Sequence, residues 1–313
     1  MNLTDPIYTD ETKAREHFEA IRWPNGPFCP HCGETERVYR LHGKSHRPGL
    51  LYCNSCNGSF TVTTGSVMES SHVPLNKWAL AFRLMCSSKK GVSAHQLHRM
   101  LSVTYKTAWF MAHRVREAMR PLAAEDGGGT LGGANKVVEV DETYVGGKAR
   151  NRKNHVPPKE AVVSLVERDG RVRSRHVVNV DGANLRPILK AEIDKASYVM
   201  TDESPIYPGA TAGFGGHGTV NHSIEEYVRG GFWHTNTVES YFSILKRGVI
   251  GTYHHVSAEH LKRYLGEFDF RHNERAARGV DDSQRTAKAI KGAAGKPLTY
   301  RTTSERSSEV APF

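Results

Sequence analysis

The chain has 313 residues, with 43 Lys and Arg against 33 Asp and Glu, for a formal net charge of +10. That length supplies two or three domains and ample core, and the basic balance favours a polyanionic partner, either nucleic acid or an acidic membrane surface. No apolar run reaches the roughly 18 residues of a membrane span, and MNLTDPIYTDETKAREHFEA at the start has acids in place of a secretory apolar region, so a cytoplasmic protein with no membrane partner is expected.

A short helix is expected over residues 10–20. The stretch from Trp23 to Phe60 is rich in Gly, Pro, Cys and His and reads Cys29-x2-Cys32-x20-Cys53-x2-Cys56. Two CxxC pairs so spaced form two tight knuckles that complete a tetrahedral four-sulfur site. Four protein ligands leave no open position, so one structural Zn²⁺ is expected; redox disulfides are the competing reading. His31 is a bystander within the first knuckle. Cys86 is a small buried hydrophobe in a helix. The loop between knuckles carries Arg37, Arg40, His42, Lys44, His46 and Arg47, which suit either phosphate contact or plain solvation.

Residues 75–119 are helical in pattern. Within them, GVSAHQLHRMLSVTYKTAWFMAHRVREAM (91–119) gives two helices around a break at Leu101–Val103, with Ser93 and Thr104 as caps. Leu97, Met100 and Leu101 are expected to face Trp109, Phe110 and Ala112. The second helix then presents Tyr105, Lys106, His113, Arg114 and Arg116, the layout of a major-groove reader; a plain helical hairpin is the alternative.

The run AAEDGGGTLGG (123–133) is a linker. Beyond it come β-rich runs: VVEVDETYV, EAVVSLVE (160–167) and RVRSRHVVNV (171–180), the last two joined by an Asp169-Gly170 turn. A helix at about 184–195 and the strand SYVMTD follow, which points to a mixed α/β sheet. HTNTVESYFSILKRG (234–248) reads as a helix capped by Thr235 or Asn236. Val238, Tyr241, Phe242 and Leu245 form its apolar stripe, and Glu239, Ser243 and Lys246 share the face beside it. After Gly279 the chain is expected to fray. The expected organisation is a zinc ribbon with its short helix (1–66), a helix-turn-helix-like DNA-binding domain (67–122), the linker (123–134), a catalytic domain (135–280) and a flexible tail (281–313).

Asp141 lies in the first β-run, Asp202 ends SYVMTD and Glu239 opens the capped helix. Phosphodiester cleavage uses two divalent cations about 3.5–4 Å apart, and hard cations such as Mg²⁺ take carboxylate oxygens with water and phosphate. Two strand-borne aspartates and a helix-borne glutamate supply those oxygens on rigid elements. Each also has a bland reading as a surface or turn carboxylate. Glu142 and Glu203 are neighbouring rivals, although Glu142 points to the strand face opposite Asp141.

VDETYVGG (140–147), TDESPIY (201–207), HTNTVESYFSILKRGVIGTYHHVS (234–257) and LKRYLGEFDFRHNER (261–275) together resemble the bacterial insertion-sequence DDE transposases that join a zinc ribbon to a ribonuclease-H-like catalytic domain. The similarity runs from the zinc knuckles to about residue 280, and its motifs are specific in combination. The resemblance implies a ribonuclease-H-like mixed sheet with flanking helices. It makes Asp141, Asp202 and Glu239 the ligands of two catalytic Mg²⁺ or Mn²⁺ ions. It gives Asn236 a part in positioning substrate or a metal-bound water, and it sends Lys246 to the DNA end.

Lys148, Arg150, Arg152 and Lys153, with Lys246, Arg247, Lys262 and Arg263, are candidates to hold the strands. Trp233 and Tyr253 could stack on unpaired bases, with core packing the stronger reading for Trp233. His254 and His255 could contact phosphate or serve structure. The partners implied are transposon-end and target DNA, held by a homo-oligomer. The rival functions are a zinc-ribbon regulator without catalysis and a same-fold metal nuclease or resolvase that cuts but does not join.

Overall fold

The computed structural model describes residues 2–121, 129–146, 159–220, 232–296 and 298. Lys148, Arg150, Arg152 and Lys153 lie outside the described residues.

Asp10 accepts the amides of Thr12 and Lys13 and so starts α1 (Glu11–Arg22). Three short antiparallel strands follow, β1 (Val38–Arg40), β2 (Leu51–Cys53) and β3 (Gly58–Phe60). Strands of this length are marginal by themselves. They persist because Leu51, Cys53 and Phe60 pack with Phe18 of α1 and with Trp78, Phe82 and Met85 of α2 (Leu75–Ser87). The same core takes in Leu97 and Leu101 of α3 (Ala94–Leu101) and Met111 and Val115 of α4 (Tyr105–Met119). Ser93 and Thr104 cap α3 and α4 as expected, and Ser102 between them is left-handed at φ 49°. Ribbon and helices thus share one core. The expected boundary at residue 66 runs through it, since Val67 and Met68 are both buried there.

The second half is a five-stranded sheet, β4 (Val137–Val145), β5 (Glu160–Glu167), β6 (Val172–Val177), β7 (Tyr198–Thr201) and β8 (Gly216–Thr219), in the order β6-β5-β4-β7-β8. β4, β5 and β6 form an antiparallel meander, while β7 and β8 run parallel to β4. The Asp169-Gly170 turn joins β5 to β6, with Asp169 left-handed at φ 55°. α5 (Gly182–Glu192) and α6 (Tyr207–Ala210) cover one face through Leu185, Leu189 and Tyr207. α7 (Asn236–Gly248) and α8 (Ala258–Asn273) cover the other through Val238, Leu245, Leu261 and Phe268. Strand alternation divides the residues: Val140 and Val163 meet α5, whereas Val145 and Val162 meet α7 and α8. This is the ribonuclease-H-like mixed sheet with flanking helices.

The expected flexible tail is corrected over the residues described. A capping box at Asp281 and Gln284 starts α9 (Asp282–Lys291), and Ala289, Ile290 and Ala293 enter the first core. The Arg285 guanidinium donates to the carbonyl of Cys86 at 3.0 Å. Serine and lysine content suggested disorder; a narrow apolar stripe was enough to dock the helix.

The expected groove-reading face of α4 is also corrected. His113 and Arg116 are buried, because α4 packs against α8. Arg116 Nε donates to Glu267 Oε2 at 2.7 Å, its guanidinium lies 4.0 Å from the centre of the Tyr264 ring, and His113 packs between Trp109 and His260. Arg114 donates to the carbonyls of Glu69 and Leu298, each at 3.0 Å, which commits a residue expected at the DNA to holding the fold. Met100 faces out at 49% exposure instead of packing on α4. Tyr105 and Lys106 remain exposed.

Candidate active site and metal centres

At the ribbon, the Sγ atoms of Cys29 and Cys56 lie 3.6 Å apart, as do those of Cys32 and Cys53. All four fall within 4.8 Å of one another. A disulfide needs about 2.05 Å, while a tetrahedron with Zn–S near 2.3 Å has edges of about 3.8 Å. Burial and the three neighbouring thiols push Cys56 up to about 12, while Cys53, against its own burial, is drawn down to about 7 by the amides of Cys56 and Ser55 and by the neighbouring thiols. Four crowded thiols of this kind need a cation before all can ionise, so the donor set fits a structural zinc. In the loop between knuckles, Arg40 is held by Glu19 at 2.6 and 3.2 Å, and His42, Lys44, His46 and Arg47 are exposed.

The second centre lies at the C-terminal end of β7 beside β4. The parallel register pairs Val138 with Val199 and Glu139 with Met200; carried two residues further, the same offset sets Asp202 beside Asp141. Asp141 is half-buried on the α7 side of β4 and accepts the amide of Glu142 at 2.7 Å. Asp202 accepts the amide of Ser204 at 3.1 Å. Glu239, in the first turn of α7, is exposed and accepts the Thr235 hydroxyl at 2.8 Å.

Electrostatics couple these groups. Burial raises the Asp141 carboxyl, and the charges of Glu142, Asp202 and Glu239 raise it further against the Glu142 amide bond, so that it stands at about 7. Glu142 points to the opposite face, as expected, where Tyr207 donates to it; burial and the charge of Asp202 raise it too. Among the described residues only the four cysteines converge as a group of metal-ligating atoms. The three carboxylates share one field without closing so tightly. Hard carboxylate oxygens of this kind fit a divalent cation of the magnesium type.

Lys246, Arg247 and Lys262 are exposed, and Asn236 is exposed in the first turn of α7. Arg247 donates to Ser243 at 2.9 Å. Arg263 lies 3.5 Å from Glu117. Tyr253 ends a π-helical turn, Val249–Tyr253, and donates to buried Glu267 at 2.8 Å, so it packs inside instead of stacking on bases. Trp233 is half-buried and lies against Gly218 of β8. His254 and His255 are exposed.

Sequence reasoning missed Glu139. It is fully buried on β4, and its carboxylate accepts the amides of Thr237 and Val238 at 2.8 and 3.0 Å, the Thr237 hydroxyl at 2.9 Å and Arg168 Nε at 2.7 Å. The available signal was its spacing of two from Asp141, which sets both on one face of the strand.

Two family models match the chain: an ISXO2-like transposase domain over residues 130–273 and a transposase zinc-ribbon domain over residues 9–59. The chain is also 31% identical over 283 residues to an uncharacterized protein in the transposable element ISH50 of Halobacterium salinarum, which covers 84% of this chain and 91% of that protein. No solved structure matches.

Proposed function

Since this chain belongs to the insertion-sequence transposases with an ISXO2-like domain and a zinc ribbon, we propose that it cuts DNA at the ends of its element and joins them to target DNA. Asp141, Asp202 and Glu239 are the metal ligands in this reading. The observation that supports it is geometric: the parallel register of β4 and β7, carried two residues on, brings Asp141 beside Asp202, and Glu239 stands in the first turn of α7, the helix that packs on β4.

Two Mg²⁺ or Mn²⁺ ions, when bound, would sharpen the attacking oxygen and stabilise the leaving one. Asp141 and Asp202 hold this site from two adjacent parallel strands, and Glu239 closes it from α7. Asn236, three residues before Glu239, shares its side of the helix and orients substrate or a water. Lys246, two turns along, meets the DNA end. Lys106, Arg247 and Lys262 offer further phosphate contacts. Lys148, Arg150, Arg152 and Lys153 are assigned the same role on their sequence position alone. Arg114, half-buried and donating to two backbone carbonyls, and Arg263, half-buried beside the Glu117 carboxylate, drop out of the first rank. The zinc ribbon supplies a folded DNA-contacting module, and a homo-oligomer brings two ends together.

The test is incubation of purified protein and its Glu239→Gln variant with Mg²⁺ and labelled DNA carrying the element's ends. Joined product from the wild type alone is expected. Nicking without joining would make the protein a nuclease, and binding alone would make it a regulator.

A further inference from the structure

We propose that Glu139 is a positioning residue of the carboxylate centre. It anchors the helix of Glu239 onto the strand of Asp141 and so sets the separation of two metal ligands. The proposal rests on the reading of Asp141, Asp202 and Glu239 as those ligands.

A helix start leaves amides that need acceptors. Asp10, Ser93, Thr104, Asp181 and Asp281 meet that need locally, each capping its own helix. α7 is built differently. Its N-cap residue Thr235 makes no side-chain cap; its hydroxyl donates to Glu239 Oε1 instead. The acceptor comes from across the fold, 98 residues away in sequence, where Glu139 Oε2 takes Thr237 N and Oε1 takes the Thr237 hydroxyl. A negative charge is favourable at that end of the helix dipole.

A local cap ties a helix to its own chain. Glu139 ties α7 to β4, two residues before Asp141 and two before Glu239 in the bonded partner, Thr237. A buried carboxylate costs several kcal/mol unless it is compensated. Here Arg168 compensates it at 2.7 Å, and the same guanidinium donates to the carbonyls of Phe232 and His234 at 2.8 and 2.9 Å. The segment entering α7 is therefore clamped at both sides of its turn. Groups that orient metal ligands in this way typically change metal affinity about 10–100-fold when removed.

The test uses Mn²⁺ as probe, titrated by electron paramagnetic resonance into the full chain. Wild type, Glu139→Gln, Thr237→Ala and Glu239→Gln are compared, with circular dichroism as the folding control. Glu139→Gln is expected to weaken Mn²⁺ binding by about tenfold or more. Thr237→Ala, which removes a single bond to Glu139, is expected to weaken it roughly threefold. Excess Mn²⁺ should restore end cleavage in both, because the ligands themselves are intact. Should Glu139→Gln fail to fold, Thr237→Ala decides alone. Wild-type Mn²⁺ affinity in the folded variants, with Glu239→Gln weakened, overturns the positioning role and leaves the ligand reading standing. Wild-type affinity in Glu239→Gln overturns the ligand reading and the positioning role together.

Discussion

Arg116 and Glu267 form a buried ion pair, Nε to Oε2 at 2.7 Å, between residues 151 apart in sequence. Glu267 also accepts from Tyr253 at 2.8 Å and from Arg271, so its charge is shared among three donors. The pair fastens the helix pair α3–α4 to α8, which covers the five-stranded sheet. A change in α4 is thus mechanically continuous with α8, which shares a core with α7.

Removing one partner should cost more than the pair is worth. Arg116→Ala leaves Glu267 buried with two donors, and breaking a buried pair typically costs about 3–5 kcal/mol. Urea unfolding should shift by that order. A loss below about 1 kcal/mol would mean that water reaches Glu267 and that the two halves are not welded there.

On the proposed reading, Asp141→Asn, Asp202→Asn and Glu239→Gln should each abolish end cleavage and leave DNA binding within about twofold, since each would remove a metal ligand and no phosphate contact. Gel-shift and single-turnover cleavage assays on one preparation separate the two effects. Full cleavage by any variant removes that residue from the metal site.

Asp141 also predicts a pH effect with a definite sign. Its folded carboxyl stands at about 7, above the ordinary 3.8, so between those values the folded state binds more protons than the unfolded. Stability therefore falls as pH rises through that window. In metal-free protein at pH 8, Asp141→Asn should be more stable than wild type by roughly 1–2 kcal/mol, after discounting for the half-exposed site, and should lose that advantage at pH 4. Thermal melts with chelator at the two pH values check it, and an unchanged difference would show that Asp141 ionises normally.

At the ribbon, Cys29→Ser should remove the zinc and loosen the first core, because metal binding there is folding free energy. Since Cys29 and Cys53 pack with Phe18 and Phe60, the loss should spread into α1 and α2. Elemental analysis should read near zero zinc for the variant, with a lowered melting temperature. An unaltered melt with zinc retained would leave the four-sulfur site without a structural role.

Much of the site was legible in the chain because it depends on local rules. Paired CxxC knuckles carry their own geometry. Ser93 and Thr104 cap the helices that follow them. The parity of VVEVDETYV sets Asp141 and Glu142 on opposite faces, as the Tyr207–Glu142 bond bears out. That Asp141 and Asp202 come level was not legible, because it depends on the parallel register of β4 with β7.

What the tertiary structure alone decided concerns side chains whose partners are remote. Arg116 and His113 look like surface residues of a basic helix until α8 covers them. Arg114 looks available until Glu69 and Leu298 offer it carbonyls. The segment after Gly279 looks soluble until Ala289 and Ile290 find a core built by residues more than 150 positions earlier. Glu139 reads as an unfavourable acid in an apolar strand, and only the arrival of α7 and Arg168 gives it four donors. Periodicity and spacing fix what a segment is; burial and charge pairing depend on which segments meet, and that is a property of the folded chain.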